Sequence, residues 1–436
     1  MGELADVAVI GGGIAGRVAA IECAKVTLKV VLWSEPEGQL PLHSISLGHV
    51  TGIDGAAETF QTGDRIDELC QELGVTTEVL RERNTLLRTA KVTAPIPRNV
   101  TAGVPGNPLG NELAAFVPGA KLRAYADRVM PLLKLGEERN LAKLVRQRLG
   151  AAVLNGFTDP FCRAIFGVPA DRVDVGRAAP KLNRTFTSLG TLSGAALALS
   201  DGPDEARRVV GGMSVLRNAL ERRSAEYAVI EREERVESIR FLDSGVWQIR
   251  SGTEVLHART VIAAVDPETL GEQRLAGVTG TEREVSIVTA LIRGAAGANA
   301  TGLVFAAHPM LASVSRPAAR SEHLAEQLSD GEDLLRIVVH DLDAQPEDAI
   351  QEAATALGFD GYVLEDFNRE NWTVIRPWVC AEDPPTGQPR SDESGTLEWT
   401  GQWAAGSGLA RVVLHAHEAA HRIRSRALQL KLAADS

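Results

Sequence analysis

The sequence predicts an α/β fold, and three features of its first 35 residues carry that expectation. Val7-Ala8-Val9-Ile10 is a short apolar run with a β-branched bias, the pattern of a buried parallel strand. Gly11-Gly12-Gly13-Ile14-Ala15-Gly16 follows at once and leads into Val18-Ala19-Ala20-Ile21, an apolar helix pattern. Lys29–Trp33 then reads as a second strand and ends on Ser34-Glu35. Strand, glycine turn and helix are the context in which G-x-G-x-x-G marks a dinucleotide-binding turn. Gly11 permits the tight turn, Gly13 lets the backbone approach a pyrophosphate, and Gly16 lets helix pack closely on strand. The helix N-terminus then offers free N–H groups and a positive dipole end to the phosphates. Glu35 stands 19 residues after Gly16, the distance at which a carboxylate meets a ribose diol.

The 436 residues exceed one typical domain, and an apolar fraction of 44% is ample for a sizeable core. A net charge of -11 argues against a nucleic-acid partner. Aromatic content is 4%, which argues against a large aromatic ligand box. Cys23, Cys70, Cys162 and Cys380 are scattered without metal-ligand spacing, and Cys23 and Cys70 read as buried small hydrophobes. Asp6 interrupts the N-terminal apolar stretch, so no signal peptide is read there, and no uncharged apolar run approaches the ~20 residues needed to span a bilayer. The expectation is a soluble, cytoplasmic protein with no membrane span, and its longer apolar stretches leave room for a homodimer interface.

Further along, the chain resembles the flavin-dependent amine oxidase superfamily, which includes amine oxidases, protoporphyrinogen oxidases and phytoene-type desaturases. Pro36–Leu40 occupies the place of that family's R-x-G-G-R loop, and Gly55-Ala56-Ala57-Glu58-Thr59-Phe60 is similar to its G-A-x-x-F segment. Leu69–Gly74 stands for its helix ending in E-L-G, and Val104-Pro105-Gly106-Asn107-Pro108-Leu109 resembles the G-I-P-x-x-P-L loop of protoporphyrinogen oxidases. Gly211–Leu216 matches a G-G-M-x-x-L turn, and Val236 with Ile239 fits a V-x-x-I strand whose valine backbone contacts adenine in relatives. Val261–Pro267 is similar to the next strand and its exit, closest to the desaturase version. Trp372 and Pro377 have W-x-x-x-x-P spacing, and Gly401-Gln402-Trp403 through Gly408-Leu409, with the helix to Ala420, resembles the C-terminal flavin motif.

The resemblance implies a Rossmann-type FAD-binding domain, drawn from 1–80, 205–290 and 375–436, interleaved with an α+β substrate-binding domain from 81–204 and 291–374. It implies FAD as cofactor, held by Gly11, Gly13, Ile14, Ala15, Gly16, Ser34, Glu35, Gly38, Val236, Trp372, Gly401, Gln402, Gly408 and Leu409. Helical patterns at Lys121–Leu133 and Leu141–Leu149 suit a lid. Some positions depart from the family pattern. Ser34 takes the place of the ribose acid, leaving Glu35 one position late. Of the R-x-G-G-R loop only Gly38 is kept, Gln402 replaces an acid, His415-Ala416 replaces Ser-Gly, and Arg17 replaces an apolar residue.

In this family FAD takes a hydride from a C–H bond beside nitrogen or carbon, and oxygen usually reoxidises it. Glu58, in a locally apolar setting beside the expected isoalloxazine, is the candidate proton acceptor. Arg316 and Arg320, with Arg98 a weaker candidate, could orient a carboxylate, carbonyl or amide of the substrate. Trp372, Trp378 and Trp403 could line the cavity. The strand Ser286–Arg293 offers no lysine in the place where amine oxidases put one near the flavin. His417 and His421 could share a helix face, but no third ligand is near, so no metal is expected. The function implied is FAD-dependent oxidation next to nitrogen in an amine- or amide-type small molecule, possible in specialised biosynthesis, with molecular oxygen as acceptor. Protoporphyrinogen-oxidase-like or desaturase-like dehydrogenation is the alternative, and a flavin-free binding protein on the same fold is a further one.

Overall fold

The structure is a computed structural model that describes residues 4–35, 42–81, 84–108, 110–119, 127, 138–179, 181–200, 205–270, 281–294, 300–359, 361–376, 395–406 and 408–435. Gly38, Leu109, Pro377, Trp378, Cys380 and all of the Lys121–Leu133 pattern except Asp127 lie outside the described residues.

The N-terminal βαβ unit forms as its pattern predicts. β1 (Leu4–Ile10) is buried from Ala5 onward, α1 (Ile14–Ala24) follows the glycine turn, and β2 (Val30–Trp33) is buried throughout. Such continuous burial is what a parallel strand covered on both faces requires. Five more strands complete the sheet: β3 (Ile230–Arg232), β4 (Ser238–Phe241), β5 (Trp247–Ser251), β6 (Glu254–Ala263) and β7 (Leu397–Trp399). Their order is β3-β2-β1-β6-β5-β4, with β7 also pairing β6. β3, β2, β1, β6 and β7 run parallel, and β5 and β4 form an antiparallel extension. This sheet draws on three separated stretches of chain, 4–33, 230–263 and 397–399.

Two further helices pack against α1. α2 (Met213–Glu226) starts directly after Gly211 and Gly212, both at positive φ. α3 (Leu409–Asp435) is 27 residues long and continues well past Ala420. Its small-residue stripe Ala416, Ala420, Ile423 and Ala427 is buried, and the last three share a core cluster with Ala19, Ala20 and Cys23 of α1. Small side chains at helical spacing let the two helices approach closely. Burial pushes the Cys23 thiol up to about 12 and the Cys70 thiol to about 11, so both behave as packed hydrophobes.

A second seven-stranded sheet runs in the order 363–376, 281–293, 332–339, 311–315, 302–305, 85–88, 93–95. The helix Pro346–Ala356 packs on it through Ala349, Ile350, Ala353 and Ala354. The strand Thr281–Arg293 pairs throughout with Val363–Arg376 and over Ser286–Arg293 with Glu332–Val339. Residues 281–290, expected in the first unit, therefore belong with the second sheet, because ladder pairing decides membership. A helical layer spanning 141–200 builds its own core, with Leu141, Leu144, Val145 and Leu149 all buried. Among the described residues no helix is long and apolar enough to cross a membrane, and no cluster of His, Cys, Asp or Glu could hold a metal.

Candidate flavin and substrate site

The glycine turn between β1 and α1 is built for close approach. A Cβ on Gly16 would lie 1.8 Å from the Gly11 carbonyl oxygen, and one on Gly12 would lie 2.2 Å from Ser34 Cβ. A Cβ on Gly13 would meet nothing within 4 Å, so that position opens outward. No side chain caps α1, whose first-turn amides at Ile14, Ala15 and Gly16 are left for a ligand. Arg217 of α2 lines the small cleft over this turn together with Gly12, Gly13, Ile14 and Arg17. Its buried Nε has no hydrogen-bond partner among the described residues.

At the end of β2 the structure brings together residues that the sequence keeps far apart. Arg17 is buried, donates from Nε to the Gly12 carbonyl at 2.9 Å, and forms a two-pronged pair with Glu231 of β3 at 2.5 and 3.1 Å. The Ser34 hydroxyl donates to the same carboxylate at 3.0 Å. Burial opposes the charge on Glu231, but the hydrogen bonds and charge of Arg17 and the Ser34 hydroxyl outweigh it and hold the carboxyl below its ordinary range. Glu35, by contrast, is exposed and lies 3.8 Å from Arg235. Val236 is buried between β3 and β4, close to this end of the sheet.

The other end of the site opens into a cavity of about 1260 Å³ lined by the second sheet, the helical layer and the C-terminal segment 403–411. Trp403, Gly408 and Leu409 line it from the C-terminal segment, and Glu58 and Phe60 line it from the segment that resembles G-A-x-x-F. Gly401 and Gly408 sit at φ +111° and +110°, a backbone that only glycine adopts without strain, and Gln402 is exposed at the start of a short helix. The Trp403 Nε1 is buried without a hydrogen-bond partner among the described residues.

Glu58 Oε2 lies 3.4 Å from Arg336 Nε. Arg336 also donates to the Gly55 and Ala56 carbonyls at 2.8 and 2.6 Å, which fixes the backbone just before Glu58. Arg316 lines the cavity but is drawn to Asp333 at 2.7 Å, donates to the Ala300 carbonyl and lies over the Phe359 ring. Arg320 also lines it and donates to the Arg81 carbonyl at 3.2 Å. Trp372 sits in the second sheet, stacked on His43 with ring centroids 5.2 Å apart, and His43 bonds Glu370 at 2.8 Å. The Trp372 Nε1 is likewise buried without a hydrogen-bond partner among the described residues.

The sequence model of the flavin containing amine oxidoreductases matches residues 53–283, more than half of the chain. The chain belongs to that family. An FAD binding domain model matches residues 6–61, and FAD is the cofactor. No curated protein matches the chain by sequence. Among solved structures, it resembles a candidate protoporphyrinogen oxidase from Exiguobacterium sp. 255-15 at TM-score 0.78 and 16% identity, covering 97% of this chain and 99% of that one. It also resembles cyclohexylamine oxidase from Brevibacterium oxydans IH-35A at TM-score 0.64 and 16% identity, covering 97% and 99%. Reduced UDP-galactopyranose mutase gives TM-score 0.69 at 12% identity, covering 98% and 94%. At such low identity these likenesses speak to the fold.

The residues present fit FAD. The open face of Gly13, the uncapped helix start and the Arg217 Nε, which pairs with Glu221 at 3.7 Å but has no hydrogen-bond partner among the described residues, suit a pyrophosphate, and the glycine cradle with the Trp403 Nε1 suits a polar ring system. Sequence reasoning missed Glu231, Arg217 and Arg336. The one available signal was Arg17, because a charge directly after the last glycine, on a helix face that must be buried, needs a buried partner. Nothing in the sequence spacing identifies that partner as a residue 214 positions away.

Proposed function

We propose that this flavoenzyme oxidises a nitrogen-bearing small molecule at a C–H bond beside the nitrogen and passes the electrons to molecular oxygen. The observation that carries the reading is that Trp403, Gly408, Leu409 and Glu58 from the flavin side share one cavity with Arg316, Arg320 and Arg336 from the substrate side. Bound FAD supplies the hydride acceptor. The chain's own residues do the rest. The α1 amides and Arg217 hold the pyrophosphate, and Glu231 with Ser34 takes the ribose diol in place of the missing acid. The Val236 backbone meets adenine, and Gln402 hydrogen-bonds the ribityl region. Glu58 accepts the proton from the substrate N–H as hydride leaves carbon, so that the product is an imine. Arg336 holds that carboxylate in place, and the walls exclude water.

The dehydrogenation of a carbon frame, in the manner of protoporphyrinogen oxidases or desaturases, is a second reading. It is favoured by the size of the cavity and by the packing of Val104-Pro105-Gly106, where a Gly106 Cβ would lie 2.7 Å from the Leu197 backbone. The visible spectrum of the purified protein, with identification of the released chromophore, tests the flavin placement. Oxygen consumption on amines and amides, set beside reduced tetrapyrroles and polyenes, separates the two readings. In the first, Glu58→Gln slows flavin reduction by about 10²- to 10⁴-fold. A change under about threefold would leave Glu58 only a partner of Arg336.

A further inference from the structure

A second acid–base pair stands beside the site and has no part in the chemistry above. His43 Nε2 lies 2.9 and 2.8 Å from the two carboxylate oxygens of Glu370. Trp372, two residues further along the strand, stacks on the imidazole with ring centroids 5.2 Å apart. Gly55 gives the pair its room: a Cβ there would lie 2.0 Å from His43 Cε1 and Nε2 and 2.8 Å from Glu370 Oε2. The Gly55 amide donates to the His43 carbonyl at 3.2 Å, which holds the glycine against the ring. Among the described residues, His43 supplies every hydrogen bond and ion pair of the Glu370 side chain. The two side chains are 22% and 24% exposed, so neither is sealed in the core.

The neighbours of this pair place it between the cleft and the cavity. Leu42, the residue before His43, lines the cleft over the glycine turn. Gly55, against the imidazole, has its carbonyl held by Arg336, which lines the cavity together with Glu58. Glu370 pairs across the sheet with Ile287, and Ile287 pairs with Val338, a residue of the cavity wall. Cross-strand partners share a face, so Glu370 lies on the face that floors the cavity, two strands or about 10 Å from Val338. A dinucleotide with its pyrophosphate in the cleft and its ring in the cavity passes this pair.

We infer that His43 and Glu370 tune the redox preference of the flavin, the imidazole covering a carboxylate whose charge would otherwise oppose reduction. A hydride brings two electrons and one proton, so the flavin gains one unit of negative charge when it is reduced. A bare carboxylate nearby disfavours that gain, whereas one hydrogen-bonded to an imidazole opposes it less. One charge about 10 Å away, at an effective dielectric of about 20, changes the preference for reduced over oxidised flavin by about tenfold. This assignment rests on the course of FAD proposed above and holds whichever substrate gives the hydride.

The test uses the purified holoprotein, with flavin midpoint potentials from dye-coupled anaerobic reduction and FAD affinity from fluorescence titration. His43→Leu uncovers the carboxylate and should lower the potential by about 30 mV, the equivalent of a tenfold change for two electrons. Glu370→Gln removes the charge, keeps a carbonyl acceptor for the imidazole, and should raise the potential. The double variant carries neither group, so its potential should return above that of His43→Leu. A shift in the same direction in both single variants, or a change in preference under about twofold in each, overturns the inference. So does weaker FAD binding at an unchanged potential, which makes the pair a packing contact. A protein that takes up no FAD overturns it together with the oxidase reading. Opposite shifts in a protein that oxidises no amine or amide leave the inference standing and sink the substrate reading. Unmoved potentials in a protein that does oxidise them do the reverse.

Discussion

Substitutions at Glu231 separate what holds the fold from what holds the cofactor. Arg17 is 5% exposed, and all its polar contacts go to Glu231 and the Gly12 carbonyl, with Glu221 farther off at 3.6 Å. Glu231→Ala strands that guanidinium. Removing one partner of a buried pair costs ~3–5 kcal/mol, and because the Glu231 side chain is 31% exposed, water reaches part of the gap and lowers the expected loss to about 2–3 kcal/mol. With an unfolding entropy of about 2.1 cal/mol/K per residue, a chain of 436 residues shifts by about 1 °C per kcal/mol, so the melting midpoint falls by roughly 2–3 °C. Replacing both residues, Arg17→Leu with Glu231→Leu, exchanges the ion pair for an apolar contact, an exchange that is often neutral, so the midpoint returns towards wild type.

FAD affinity then behaves differently from stability. A charge-assisted hydrogen bond contributes ~1.5–3 kcal/mol, so the double variant binds FAD roughly 10- to 150-fold more weakly while melting normally. Adding Ser34→Asp to that background puts an acid where the family pattern has one and restores much of the affinity. The assay is fluorescence titration of flavin-stripped protein with FAD, alongside circular-dichroism melts of the same samples. If the double variant melts like wild type and binds FAD with an unchanged Kd, Glu231 is a packing partner of Arg17 and nothing more.

Two further outcomes follow from the geometry. Gly16→Ala places a methyl 1.8 Å from the Gly11 carbonyl oxygen, a backbone atom that cannot swing aside, so the variant should lose its flavin on purification. Retention of one FAD per chain would show that the turn can yield. Asp54 is buried beside Arg208, with Oδ2 2.7 Å from its Nε and Oδ1 accepting from the Met213 amide. Burial dominates and raises its carboxyl from 3.8 to about 6, against the opposing pull of Arg208. A raised folded-state value means that folding takes up a proton between the two values. The stability from this group is full below 3.8 and is lost as pH rises through about 6. Melting midpoints from acid to neutral pH should show that slope in the wild type and lose it in Asp54→Asn. An identical slope in both would assign it to other groups.

The first βαβ unit was legible because each of its signals is local. The Val7–Ile10 run, the glycine spacing and the switch to helical pattern act on neighbours in sequence, and the backbone that they specify is the one observed. The family was legible from motifs strung along the chain in order. The extent of the second sheet was not, because Thr281–Arg293 carries no label saying which ladder it joins, and its pairing with Val363–Arg376 is set only when the strands meet. The same holds for the site. Nothing along the chain shows that Arg316 meets Asp333 or that Ser34 meets Glu231. Sequence alone determined the glycine turn and the flavin-binding fold, since those depend on short-range sterics and hydrogen bonding. The tertiary structure decided which charges meet and that arginines from distant segments face one cavity, because a charge's partner depends on separation in space and a buried charge must find one wherever the chain brings it.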